Sequence, residues 1–199
     1  MESFIAQNPG VEAFGGPFRA FYLEIPPSWF PPEYGSWTLG EQVKEVLLGE
    51  EFISGTNMVF RKDLLESIGG FKGSLGMMGE QISYGEETRL QLDISERKIP
   101  VYFFPGMKVS HLVAGYKMRL GWLLTSAYAS GRCSSETLKL ERGLLSHLRG
   151  LSIGLAKMIV YPVAPGRGPL KRRAYYALTG ISAEIGAMIE YLVSRRMHG

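Results

Sequence analysis

The spacing of glycine and proline changes abruptly at Gly115, and no other feature of the chain restricts its fold as tightly. Before that point turn-forming clusters recur at short intervals: Asn8-Pro9-Gly10, Gly15-Gly16-Pro17, the prolines Pro26, Pro27, Pro31 and Pro32, Gly69-Gly70 and Pro105-Gly106. Segments between such breakers have room only for short strands and short helices. Beyond Gly115 apolar residues follow helical spacing over roughly 117–130, 135–161 with breaks, and 170–197. Pro162, Pro165, Gly166, Gly168 and Pro169 form the clearest linker. The expectation is an α/β front, residues 1–114, with a short mixed sheet and flanking helices, followed by a helical C-terminal region, residues 115–199.

Charge divides at the same place. Residues 1–114 carry 9 Lys+Arg and 15 Asp+Glu, a net of −6; residues 115–199 carry 13 and 4, a net of +9, which leaves the whole chain at +3. A basic rear suits an anionic partner such as a nucleotide diphosphate, lipid head groups or nucleic acid; a solvated helix surface is the plainer alternative. No recognition module carries the basic residues and the aromatics concentrate in the acidic front, so no nucleic-acid partner is expected. A hydrophobic share of 45% excludes wholesale disorder. Cys133 stands alone, which excludes an internal disulfide and fits a reducing compartment. The N-terminus has no signal-peptide pattern. The longest uncharged stretch, Leu120 to Gly131, is far short of the roughly 18–20 residues a membrane span needs. A cytoplasmic location, peripheral on the inner face of the cell membrane, is expected.

Within the front half the pattern predicts a helix end and short strand over 1–14, an irregular loop from Ile25 to Gly40, and a helix over Leu39–Leu48 from the pair Val43 and Leu47. A strand interrupted at Gly55 follows over Phe52–Phe60, then a helix over Arg61–Ile68 stopped by Gly69-Gly70. Residues 72–84 read as a loop, and Gly85 opens a helix to about Lys98 with Leu90 and Ile94 inward. Strands over Val101–Phe104 and Met107–His111 are expected to form a hairpin around the Pro105-Gly106 turn. The last helix spaces Ala174, Leu178, Ile181, Ile185, Met188, Ile189 and Leu192 along one side, with Lys171-Arg172-Arg173 before it and Arg195-Arg196 near its end. That pattern suits a groove on a partner, an anionic membrane surface, or packing within the domain.

The adjacent carboxylates Glu86 and Glu87 are the most informative residues. At a helix start, free backbone N–H groups and the helix dipole favour negative charge, by about 0.3–1 kcal/mol each, so an ionised general base is expected there. Successive helix positions point about 100° apart, so the two groups serve different purposes. Acidic residues in a first helical turn are also common for stability alone. His111, at a predicted strand end, suits a metal or phosphate, or a structural hydrogen bond. Lys117 and Arg119 can neutralise phosphate oxygens. Asn57 can present its amide to a sugar hydroxyl or satisfy nearby backbone.

The order of four motifs is more specific than any one of them. Gly55-Thr56-Asn57-Met58-Val59-Phe60-Arg61, then Ile68-Gly69-Gly70-Phe71, then Gly85-Glu86-Glu87-Thr88-Arg89-Leu90, then Tyr102 through Pro105 to Val109-Ser110-His111 resembles the acceptor half of family 2 glycosyltransferases. The family pattern runs G-x-N-M-x-F-R, I/V-G-G-F, G-E-D/E-x-x-L and Y-x-P-x-x-x-V-x-H. The likeness covers about residues 12–131. It implies a GT-A fold and inverting transfer from a nucleotide sugar to a glycan or lipid-linked acceptor, as in bacterial polysaccharide biosynthesis. Glu87 matches the base and Glu86 the supporting acid, with glutamate where the family usually has aspartate. Asn57, Arg61, Gly85, Lys117 and Arg119 fall where substrate is held, and His111 matches a histidine near the metal and diphosphate.

The resemblance also implies a divalent cation, Mg2+ or Mn2+, held in the full-length enzyme by a D-x-D motif. The chain contains only Asp63 and Asp93, neither in such a motif. The expectation is a fragment beginning just downstream of the metal motif, inactive without the missing N-terminal half. The alternative is a non-catalytic module docking a membrane or partner through its basic helical tail.

Overall fold

The computed structural model describes residues 2–77, 79, 81–138, 142–163 and 169–197. It is a mixed α/β structure with a small mixed sheet and, among the described residues, six α-helices. The chain divides into two compact units: Met1–Leu23, Glu33–Ser74 and Glu86–Val113 form one, and Glu24–Pro32, Leu75–Gly85 and Ala114–Gly199 the other.

In the first unit, helix α1 (Glu2–Gln7) leads into strands β1 (Ala13–Gly15) and β2 (Phe18–Tyr22). Strand β3 (Lys44–Glu45) comes next, then a 3-10 turn (Gly55–Asn57), β4 (Met58–Phe60) and helices α2 (Lys62–Ile68) and α3 (Glu86–Glu96). Strands β5 (Val101–Phe103) and β6 (Val109–Val113) complete it. The four-stranded sheet has the order β3-β5-β1-β4, with β1 parallel to β5 and antiparallel to β4. Side chains alternate across this sheet. Ala13, Val101 and Phe103 join Leu64 of α2 and Leu90 and Ile94 of α3 in one buried cluster. Phe14 lies in a second cluster with Phe4 of α1 and Met107. Phe4 stacks on Phe104 with ring centroids 4.4 Å apart. Both faces of β1 are therefore covered, and all three of its residues are buried.

Two sequence expectations are corrected here. The segment Leu39–Leu48 is no helix: Lys44–Glu45 pair antiparallel with β5, and the Val46 N–H donates to the Val101 carbonyl at 2.8 Å. Gly40 has φ +119°, and Val46 is buried while Val43 and Leu47 are exposed, so the apolar pair points to water. The strands around Pro105-Gly106 do not pair as a hairpin either. β5 stays in the first sheet, while β6 crosses to a second, two-stranded sheet, parallel to β2 and in register His111↔Ala20. That strand runs to Val113, so His111 sits in its middle.

In the second unit a 3-10 turn (Gly115–Met118) precedes the helices α4 (Leu120–Leu138), α5 (Leu144–Val163) and α6 (Leu170–Met197). α4 continues through Gly131 where the sequence suggests a break. α6 packs against both α4 and α5. Glycine permits the closest approaches: Gly131 lies under the Ala183 carbonyl and Gly186 under the Tyr128 carbonyl, where a methyl group has no room. Ser182 Oγ donates to the Leu124 carbonyl at 2.8 Å. On the other side, buried His147 meets Glu184 Oε1 through Nδ1 at 2.8 Å, and the Arg142 guanidinium meets the same oxygen at 3.0 Å. Packing within the domain uses part of the α6 apolar stripe: Ala174, Leu178 and Ile181 are half-buried, whereas Ile185, Ile189 and Leu192 stay exposed. Residues 164–168 of the expected linker lie outside the described residues.

Candidate functional site

The site begins at the first turn of α3. Glu87 lays its carboxylate directly over Gly55, and a methyl added at position 55 would overlap that group. The motif therefore needs glycine at 55 for a steric reason: the side chain it omits is the space the carboxylate fills. Burial raises the Glu87 carboxyl above its ordinary value near 4.5; its own backbone N–H pulls the other way, and the adjoining Glu86 charge adds to the rise. The helix start alone favours an ionised group, but here desolvation outweighs it. Glu86 Oε2 is buried with no hydrogen-bond partner among the described residues.

Gln91 fixes this arrangement, and the sequence pattern alone passed over it. It is fully buried one helical turn beyond Glu87. Its Oε1 accepts from the Ile53 N–H at 2.7 Å, and its Nε2 donates to the Ile53 carbonyl at 2.8 Å and the Glu87 carbonyl at 3.1 Å. The amide behaves as a strand partner for Ile53, locking the 53–55 segment to α3 just below the carboxylates. The signal was a polar residue at i+4 from Glu87, beside the inward Leu90 and Ile94.

Asn57 is buried, and its Nδ2 donates to the carbonyls of Pro17 at 2.9 Å and Met107 at 2.6 Å. Of the two roles open to it, this geometry matches satisfaction of backbone. Pro17 and Met107 are the points where β1 gives way to β2 and β5 to β6, so one side chain ties both crossings between the sheets.

Arg61 follows β4 and sits at the far end of β1, where its N–H donates to the Glu12 carbonyl at 2.8 Å. Four residues of extended chain, about 13 Å, separate it from Asn57. Its guanidinium is paired with Asp63. His111 stands in the second sheet with its ring edge-on to Phe18 at 5.5 Å. That is three residues, or about 10 Å of strand, past Pro17. Gly85, Lys117 and Arg119 belong to the second unit. Gly85 has φ +101° and lies against Thr137; Lys117 ends a 3-10 turn, and Arg119 is exposed.

The residues described do not fit a divalent cation: no group of three or more His, Cys, Asp or Glu among them is placed to hold one. Asp63 is engaged by Arg61, and Asp93 by the buried Arg89 at 2.6 Å. No helix of the described residues is long and apolar enough to cross a membrane.

The chain is similar to a glucosyl-dolichyl phosphate glucuronosyltransferase of Haloferax volcanii, 24% identical over 132 residues that cover 62% of this chain and 41% of that protein. The chain thus spans about two fifths of the length of the relative it matches. No family model matches, and no solved structure matches. The likeness supports a glycosyltransferase relationship.

Proposed function

We propose that this chain is the acceptor-side portion of a GT-A type, family 2-like inverting glycosyltransferase, moving a sugar from a nucleotide-sugar donor to a glycan or lipid-linked acceptor. The observation that carries this function is the Glu87 carboxylate: half-buried, raised in basicity and seated over Gly55, on a backbone whose carbonyl Gln91 holds. A general base works best when its pKa moves from the ordinary carboxylate range toward the working pH, as burial does here.

Glu87 takes the proton of the acceptor hydroxyl as that oxygen bonds to the anomeric carbon. The bond to the nucleotide diphosphate breaks on the opposite face, so the configuration inverts and the diphosphate leaves with its electron pair. Glu86 sustains the basicity of its neighbour by its own negative charge. Asn57 acts by holding the sheet crossing beside the Gly55–Asn57 turn in shape. A divalent cation in the whole enzyme would stabilise the departing diphosphate. The described residues provide no set of donors for it, so we assign it no step.

Supplied with a nucleotide-binding half, Glu87→Gln lowers turnover by about 10²–10⁴-fold. Donor binding, followed by calorimetry, stays within about twofold, because the base does not touch the donor in the ground state. Near-normal turnover in that variant removes Glu87 from the base role.

A further inference from the structure

The outer side of α5 is apolar, the reverse of what a solvated helix presents. Leu144, Leu145, Leu148, Leu155, Ile159 and Val160 are all exposed, Leu145 by 82% and Ile159 by 76%. At about 100° per residue these positions fill one half of the helix surface. The opposite half carries His147, Gly150 and Gly154, which face Glu184 and Ile181 of α6. The internal packing of α5 is thereby accounted for, and the outward stripe is left over. It runs 17 residues, about 25 Å of helix axis. A continuous apolar strip of that extent on a surface marks an interaction site.

We propose that this face seats the chain on an anionic lipid bilayer, with α5 lying in the headgroup plane and its apolar side turned toward the acyl chains. Charge selects this occupant. α5 contains no aspartate or glutamate; of its two cations, Arg149 falls within the stripe near its Val160 edge and Lys157 about 60° beyond that edge. Glu184 and Glu190, the nearest acids in the following helix, are engaged by Arg142 with His147 and by Arg132. A basic helical region with a net charge of +9 surrounds the stripe. A second copy of the same face would set cations against cations with no acid on α5 to offset them. An anionic headgroup layer supplies both the apolar depth and the opposite charge that an in-plane helix requires. The sequence pointed to α6 for this role; α6 packs against both α4 and α5 and keeps Ile185, Ile189 and Leu192 37%, 37% and 44% exposed, whereas Leu145 and Ile159 of α5 stand open by 82% and 76%.

This inference is independent of the transfer reaction, and the test uses vesicles without any sugar acceptor. The full chain should co-sediment at low salt with vesicles of phosphatidylcholine and phosphatidylglycerol, and release as salt rises. Leu145→Ser with Ile159→Ser should weaken that binding by about tenfold or more, with the circular dichroism spectrum unchanged because both side chains already face outward. Arg149→Glu with Lys157→Glu should lower binding to the anionic vesicles by at least about tenfold while barely altering binding to phosphatidylcholine alone. Absence of co-sedimentation overturns the proposal. So do variants that bind like the parent, or a dimer in sedimentation velocity that Leu145→Ser and Ile159→Ser dissociate.

Discussion

At the residue scale, Glu87 ties folding stability to pH through its raised carboxyl. The folded state holds that proton more tightly than the unfolded chain, so its contribution is complete below about pH 4.5. It is lost as pH rises through the folded value, and at neutral pH the ionised, half-buried group is a net burden. Glu87→Gln abolishes this dependence. The urea midpoint of the variant minus that of the parent should therefore be flat below about pH 4.5, grow in the variant's favour above it, and level off past the folded value. A difference that stays constant from about pH 3 to 8 contradicts the raised value. Gly55 offers a steric counterpart. Gly55→Ala forces the carboxylate aside and should destabilise by about 1–3 kcal/mol. Glu87→Ala removes the obstructing group, so the same change in that background should have less than half the effect. Additive effects in a double-mutant cycle would deny the contact.

At the element scale, α3 is placed by Gln91 rather than by apolar packing alone. Gln91→Leu keeps the volume but orphans the Ile53 N–H and carbonyl, and should lower unfolding free energy by about 2–4 kcal/mol in a urea titration. A loss below about 0.5 kcal/mol would show that water or a backbone shift replaces the amide. The helices of this region were legible because Leu64 and Leu90 with Ile94 repeat at helical spacing and Gly69 stops α2 in the left-handed conformation. β3 was not legible: Val43 and Leu47 are four apart, which mimics a helix face, whereas pairing with β5 decides the conformation and turns both outward. β5 and β6 were found as strands but misjoined, because Pro105-Gly106 is written like a hairpin turn and the partners β1 and β2 lie about ninety residues away in sequence. Local spacing reports local structure, and a parallel pairing is not local.

At the scale of the whole molecule, the change at Gly115 foretold the α/β front and helical rear because breaker spacing and charge alter together there. The contact of Glu87 with Gly55 joins two of the four motifs singled out by their order in the sequence. The burial of Asn57 and the placement of Arg61 at the other end of β1 were not legible, since β4 stands between them and only its register against β1 tells which end each occupies. With both aspartates held in ion pairs, the isolated 199-residue chain should release no nucleotide from a nucleotide sugar in a phosphate-coupled assay. Steady release would show that it holds a complete donor site.

The Asn57 amide reaches partners 40 and 50 residues away on either side in sequence. During synthesis, then, the first unit cannot be fastened until Met107 has emerged from the ribosome, long after β1 has been made. Until that moment its strands are nascent chain with open edges, a span in which chaperone binding would have the most to protect.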